Sequence, residues 1–457
     1  KAVLSLFYSR KSVIGMTTPS MNDKRYKIIT FGCQMNLADY GSLAALLNAR
    51  GYTPVDTEIE AGIIILNTCS VREKAEERVW GRLGELSFFK KNNPAKRIAF
   101  VGCMAQRLGD KILDRAPFVD FVMGTEAIFR LPQFLENELG MPNVNVEIGY
   151  EENGDQLPSR DTKYSAYITI SRGCSHFCTY CIVPYVRGHE RSYPMADIIR
   201  RVNAFVDDGV LEITLLGQNV NSYHDGRFDF SDLIRAVAKE TDIRRIRFMT
   251  SHPRNLSERL IETMASEPRV MTHLHLPLQS GSNRILEKMG RAYTYDHYGE
   301  LVKKLKVAIP EIALTTDLIV GFPSETEGEY QMTLEAVRAI RFDSSFMFHY
   351  SPREGTKAAM LDDDILEKEK IRRLIDLINI QKKVSFERNQ LELGRIRSVL
   401  VDGFSRRSGK ILKGKTEGNK TILFESDRKI IGTIQKIRVT AADSWTLHGE
   451  IVESSNV

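Results

Sequence analysis

Residues 166–181 read AYITISRGCSHFCTYC, a short apolar run followed at once by three cysteines, Cys174, Cys178 and Cys181, in C-x3-C-x2-C spacing. The run reads as a buried strand, and further strand-like runs follow it: EITLL, IRFM, HLHL, LTTDLIV and SFMFHY. Amphipathic helical runs alternate with them, among them MADIIRRVNAFVDDG, SERLIETMAS and GEYQMTLEAVRAI. Six βα units fall short of a closed eight-stranded barrel, so the pattern predicts a partial, TIM-like (βα)6 barrel, open on one side to a bulky substrate. The three cysteines then stand at the carboxyl end of its first strand, where parallel barrels bind ligands.

Upstream, three more apolar runs each end in a cysteine: YKIITFGC at Cys33, AGIIILNTC at Cys69 and RIAFVGC at Cys103. Helix-compatible stretches, DYGSLAALLNARG and VREKAEERVWGRLGELSFFKK, separate them, which predicts an open parallel α/β sheet. Ligands of such sheets gather outside the carboxyl ends of the strands, so these distant cysteines are expected to converge. Downstream, the charged helix EKEKIRRLIDLINIQKKVSFERNQLEL ends before Gly394, and short runs such as IRSVLVDG, KILKGKT, KTILFES and TIQKIRVTAA predict a small all-β barrel. The expected organisation is an α/β chain: a leader at 1–23, the sheet domain at 24–150, a polar linker at 151–162, the partial barrel at 163–393 and the β-barrel at 394–457. The leader has no acid before Asp23 and too short an apolar run for a secretory signal. An organellar presequence and a disordered leader both remain open.

With 42% hydrophobic and 27% charged residues, the composition is that of a soluble globular protein. No stretch approaches the roughly 18 apolar residues that a membrane span needs. From Gly394 to Val457 there are twelve Lys/Arg against seven Asp/Glu, an excess equal to the net charge of +5 of the whole chain. A basic module on a neutral body suggests a polyanion partner. Arg406, Arg407, Lys413 and Lys415 crowd one hairpin-like stretch and are the candidate nucleic-acid contacts.

All six cysteines belong to the two triplets. Disulfides fit poorly where no secretory signal is present. Structural zinc takes four ligands, with His176 the only fourth candidate in the second triplet. Inert buried thiols are the remaining plain reading. A four-iron cluster explains the number three, because three thiolates hold three irons and leave the fourth open. At the other strand ends lie Gly217, Gln218 and Asn219, then Gln279, Ser280 and Gly281, and Asp317 with Gly321. These residues are either ligand contacts or turn formers. His252, His273, His275 and His349 read as structural, while Arg187, Arg191, Arg244, Arg245 and Arg247 read as phosphate contacts or solvated charge.

The strings FGCQMN, NTCSVREKAEERV, GCMAQR, LLGQNVNSY, LPLQSGSNRILEKMGR, DLIVGFPSET and YSPREGTKA accompany the two triplets. With them, Lys27 to Glu453 resembles the tRNA methylthiotransferase family of the radical S-adenosylmethionine (SAM) superfamily. The resemblance implies an auxiliary-cluster domain, a radical SAM domain and a C-terminal TRAM domain, with two 4Fe-4S clusters. Cys174, Cys178 and Cys181 would be the catalytic cluster ligands, whose open iron chelates SAM; Cys33, Cys69 and Cys103 would hold the auxiliary cluster. Tyr180 matches an aromatic residue that contacts the adenine of SAM, and Gln218, Ser280 and Asp317 are further expected SAM contacts. In the family one SAM is cleaved to a 5'-deoxyadenosyl radical, and a second methylates sulfur drawn from the auxiliary cluster. Such chemistry suits an aromatic C–H, which side-chain acids and bases cannot activate.

The implied substrate is C2 of isopentenylated adenosine beside the anticodon of tRNA, a preference that NTCSVREKA supports. The alternatives are threonylcarbamoyladenosine in tRNA, a ribosomal protein aspartate, or a non-catalytic metal-containing RNA-binding protein. Expected partners are tRNA, a low-potential electron donor such as flavodoxin or ferredoxin, and cluster-repair proteins. The chain is expected to act as a cytoplasmic monomer, or a mitochondrial one if the leader is a presequence. Ser175-His176 departs from the family pattern, in which many members carry Asn after the first cysteine.

Overall fold

In the computed structural model, which describes residues 23–70, 73–136, 143–147, 160, 162–405, 408–426 and 428–452, the three upstream runs that end in cysteine are neighbouring strands. They are β1 (Arg25–Thr30), β3 (Ile63–Thr68) and β4 (Arg97–Gly102), joined by β2 (Thr53–Pro54), β5 (Phe121–Met123) and β6 (Asn143–Asn145). The order is β2-β1-β3-β4-β5-β6 and every pairing is parallel. Alternate residues of β3 and β4 enter opposite cores. Ile63, Ile65, Ala99 and Val101 pack on one face, and Ile64, Leu66, Ile98 and Phe100 on the other. A strand covered by helices on both faces must be apolar throughout, which is why these runs show no alternation. The leader lies outside the described residues, as does the linker apart from Arg160 and Thr162.

The second unit opens with β7 (Ser165–Thr169) and a short antiparallel pair, β8 (Ser171–Arg172) and β9 (Arg191–Ser192), that brackets the C-x3-C-x2-C loop. Its remaining strands are β10 (Glu212–Leu216), β11 (Arg245–Phe248), β12 (His273–His275), β13 (Ala313–Val320) and β14 (Ser344–His349). They form two parallel three-stranded sheets, β11-β10-β7 and β12-β13-β14. An Ile246–Val270 bridge and a Ser251 N–H donated to the His275 carbonyl, at 3.3 Å, join them into one crescent. This is the expected six-stranded open barrel. Leu314, Leu318 and Val320 of β13 pack outward into the main core. Thr315, Asp317 and Ile319 alternate with them and face the lumen. The predicted helices are present, and two of them are capped by side chains: Ser257 accepts from the Leu260 amide and Thr326 from the Glu329 amide.

The third unit is a closed barrel, β15-β16-β17-β19-β18. Its strands are β15 (Ile396–Phe404), β16 (Ile411–Lys415), β17 (Thr421–Glu425), β18 (Ile434–Ala442) and β19 (Thr446–Ile451). It caps the amino ends of β10 and β11. Arg245 donates to the Lys415 carbonyl at 2.9 Å, and Arg247 donates to the carbonyls of Thr416 and Glu417 at 2.6 and 2.9 Å. Glu212 lies 3.2 Å from Arg245 and 2.9 Å from Arg247. Both arginines are therefore buried struts of the seam, not the phosphate contacts or solvated charges that the sequence suggested. Among the described residues no helix is long and apolar enough to cross a membrane.

Replacing Glu212 with Gln leaves two buried guanidinium groups without their shared carboxylate. The expected loss is about 3–5 kcal/mol, read as a lower urea midpoint of the full chain. An unmoved midpoint would show that this triad does not hold the seam.

Candidate metal centres

The first triplet is assembled by close backbone approach. At Gly32, where φ is +130°, a Cβ would sit 2.5 Å from the Cβ of Cys69. At Gly102, where φ is +97°, it would meet the Thr68 carbonyl at 2.6 Å. Only glycine allows both approaches. Two buried amides then clasp the strand ends. Asn36 donates to the Thr68 carbonyl at 2.9 Å, Asn67 donates to the Asn36 carbonyl at 2.8 Å, and the Thr68 hydroxyl donates to the Val101 carbonyl at 2.7 Å. Cys33, Cys69 and Cys103 thus converge at the carboxyl ends of their strands as thiols outside any disulfide, the last two buried. The Cys69 side chain, helped by the charge of Arg187 and nearby amides, holds Cys33 well below the usual thiol range against the opposing effect of burial. Burial pushes Cys103 up.

The second triplet sits on a loop pinned from outside. The Cys174 amide donates to the Gly188 carbonyl at 3.1 Å, and the Thr179 amide to the Met289 carbonyl at 2.9 Å. Arg291 is buried and donates to the Cys178 sulfur at 3.3 Å and to the Tyr293 hydroxyl at 3.0 Å. Burial, reinforced by Cys178, pushes Cys181 up to about 12 and also raises Cys174. His176 is turned away from the thiols. Its Nε2 lies 2.8 Å from Asn255 Oδ1 and 2.9 Å from Asn219 Nδ2, and its ring stacks on His252 at 4.0 Å. Among the described residues no three Cys, His, Asp or Glu side chains form a single-ion site. The ligands of a four-iron cluster need not converge in that way, since each binds a different iron.

The other expected contacts divide. Gln218 carries a buried amide whose oxygen and nitrogen both lack hydrogen-bond partners. Tyr180 and Ile319 pack against the cluster of Ile285, Met289, Phe322, Tyr350 and Ala358, forming an apolar wall beside the thiols. Asp317 is part-exposed in the lumen, 3.4 Å from His275 Nε2. Ser280 is fully buried, with its hydroxyl 3.4 Å from Thr333 Oγ1 and accepting from the Ser282 amide at 3.2 Å; this side chain holds a turn. On the C-terminal barrel, Arg406 and Arg407 lie outside the described residues. Lys413 is part-exposed, 3.4 Å from Asp402. Lys415 faces the seam, donating to the Asn419 carbonyl and the Thr421 hydroxyl at 3.4 and 3.0 Å. The residue is half-buried. It lines a 260 Å³ cavity with Gln34, Tyr167, Arg247, Met249 and Asp402.

Between the triplets runs a buried ionic network that the sequence reading missed. Asp39 accepts from Arg172 and from Arg187, each at 2.7 Å. Glu126 lies 3.1 Å from Arg191 and 3.9 Å from Arg172. The Thr125 hydroxyl donates to the Val186 carbonyl at 2.6 Å, and Ile182 and Val186 pack on Cys103. Arg187 is thus a buried interface residue rather than solvated charge. The available signal was position: Asp39 follows Cys33 by six residues, Arg172 precedes Cys174 by two, and Arg187 follows Cys181 by six.

Comparison with known proteins follows the same three units. Residues 25–124 match the uncharacterized protein family UPF0004, 168–337 the radical SAM superfamily and 390–452 the TRAM domain. A protein of Moorella thermoacetica named tRNA-2-methylthio-N(6)-dimethylallyladenosine synthase is 46% identical over 94% of this chain and 99% of its own length. One of the same name from Dictyoglomus thermophilum is 43% identical over 94% of this chain and 98% of its own length. Among solved structures, a radical SAM methyltransferase from Kitasatospora setae, with cobalamin and a [4Fe-4S] cluster bound, superposes with a TM-score of 0.55 at 13% identity. That match covers 74% of this chain and 77% of the other, and is a likeness of fold.

In metal-free protein the Cys33 thiolate forms at lower pH than that of Cys174, whose thiol burial raises. Iodoacetamide labelling read by peptide mass spectrometry is expected to modify Cys33 ahead of Cys174 at pH 7, with the gap closing in the alkaline range. Equal labelling at pH 7 would contradict the assigned environments.

Proposed function

The chain belongs to the tRNA-2-methylthio-N(6)-dimethylallyladenosine synthase family of radical SAM methylthiotransferases, and from that membership we propose how its parts divide the reaction. The enzyme adds a methylthio group to C2 of the prenylated adenosine beside the anticodon of tRNA. Its cofactors are two [4Fe-4S] clusters and SAM. The observation that carries the division is the presence of two triplets of thiols outside any disulfide at strand ends, one in each α/β unit. Three soft donors in a buried cradle fit a cluster with one open iron. The sequence alternatives, threonylcarbamoyladenosine and a ribosomal aspartate, find no support in relatives whose names specify dimethylallyladenosine. A purely structural metal protein does not suit membership of an enzyme family.

We assign Cys174, Cys178 and Cys181 to the cluster that binds SAM and Cys33, Cys69 and Cys103 to the auxiliary cluster. Bound there, the two clusters supply the one-electron chemistry that removes hydrogen from C2 and the sulfur that replaces it. The chain's own residues bind and orient. Arg291 donates to the Cys178 sulfur and offsets thiolate charge in a low-dielectric site. The unpartnered Gln218 amide suits the polar end of SAM, since a buried amide without partners is costly until a ligand satisfies it. The apolar wall under Tyr180 suits the adenine of SAM. Asp317 in the lumen is a further proposed contact, through its carboxylate. Ser280 contributes through its turn. Burial pulls His252 down to about 2, which favours its neutral form.

For tRNA, Arg406, Arg407 and the exposed side of Lys413 remain the proposed contacts on the C-terminal barrel. A flavodoxin or ferredoxin as electron donor, cluster-repair proteins and a cytoplasmic monomer complete the proposal.

Separate triple alanine variants test the division. Loss of Cys174, Cys178 and Cys181 is expected to abolish formation of 5'-deoxyadenosine under reduction. Loss of Cys33, Cys69 and Cys103 is expected to retain it while abolishing methylthiolated product, with about four irons remaining per chain in either variant. Methylthiolation by the second variant would overturn the assignment.

A further inference from the structure

Arg187 ends the helix Val183–Arg187, which follows the C-x3-C-x2-C loop, yet its side chain reaches into the other α/β unit. It is 3% exposed. Its Nη2 donates to Asp39 at 2.7 Å, while its Nη1 is buried and makes no hydrogen bond. The groups that feel its charge after Asp39 are the sulfurs of Cys103 and Cys33. Among the buried groups the carboxylates of Asp39 and Glu126 are matched by the guanidinium groups of Arg172 and Arg187, while Arg191 reaches the surface. The feature that is not satisfied is the buried Nη1 of Arg187, a cationic donor without an acceptor beside three thiols, and such a donor suits an anion. Asp39 already has Arg172, at 2.7 Å, so Arg187 is not needed to neutralise it.

We propose that Arg187 is a positioning residue for the auxiliary cluster: the radical SAM unit lends the auxiliary unit a buried cation that offsets the negative charge of the cluster held by Cys33, Cys69 and Cys103, and so raises its reduction potential. The inference rests on the assignment of those cysteines to a cluster. Reduction adds negative charge, and a fixed cation in a low-dielectric site favours the more negative state. Outer residues of this kind tune metal centres without ligating them. The auxiliary site is therefore completed only when the two α/β units dock.

The test uses the full chain with Cys174, Cys178 and Cys181 replaced by Ala, so that only the auxiliary cluster is reconstituted, followed by iron analysis and EPR-monitored potentiometry. Arg187→Gln is expected to lower the potential with iron content unchanged, and Arg187→Lys to restore at least half of the shift. Asp39→Asn removes a neighbouring negative charge and is expected to move the potential the other way, upward. A loosening of the site on loss of either partner would move both potentials in the same direction. Equal potentials in the parent and Arg187→Gln at equal iron content would overturn the inference. Should Arg187→Gln fail to fold, an Asp39→Asn potential that stays put or falls overturns it instead. Failure of the parent, with Arg187 intact, to hold about four irons would instead overturn the cluster assignment itself.

Discussion

Asp39 keeps its carboxylate where water does not reach, between the guanidinium groups of Arg172 and Arg187, each at 2.7 Å. Withdrawing such a charge from water costs several kcal/mol, and only well-formed charge-assisted bonds offset it. Its two partners lie 133 and 148 residues away in sequence. Asp39 rides on the helix that begins just after Cys33, and the arginines flank the loop that carries Cys174, Cys178 and Cys181. A single buried carboxylate therefore fixes one thiol triplet relative to the other. Met35 and Ala38 extend the contact by packing on Leu216 beside Tyr167 and Met249.

The three units present different ends of their strands to one another. The sheet and the open barrel both place cysteines at carboxyl strand ends, where backbone turns bring distant residues together. The C-terminal barrel is fastened at the amino ends of β10 and β11 through Arg245, Arg247 and Glu212. The reacting groups are thereby separated from the seam that holds the basic module. In the proposed division the task of the chain is to hold two soft-ligand sites and a large substrate in fixed register.

Much of this was legible in the sequence because its signals are local. A strand covered on both faces is apolar throughout, so IIILNT and RIAFVG announced themselves, and a cysteine directly after each run marked the functional edge. β19, by contrast, buries Leu447 but few other side chains, and its sequence TLHGEI shows no clear alternation. The charged residues could not be read because the fate of an arginine depends on a partner far away in sequence. In the sequence Arg187, Arg245 and Arg247 read as phosphate contacts or solvated charge, whereas in the fold they are buried against Asp39 and Glu212. The intramolecular partners of Ser280 and Lys415, Thr333 and the Asn419 carbonyl, were equally invisible in the sequence. His176, in the Ser175-His176 pair that departs from the family pattern, is accommodated by two asparagines from neighbouring strand-end loops.

The central claim is that this chain methylthiolates prenylated adenosine in tRNA, and nucleoside mass spectrometry tests it most directly. The tRNA of a strain deleted for the gene, digested to nucleosides, is expected to lack 2-methylthio-isopentenyladenosine and to accumulate isopentenyladenosine, with the wild-type pattern restored by the intact gene. Methylthio-isopentenyladenosine persisting at its normal level in the deletion strain would contradict the account.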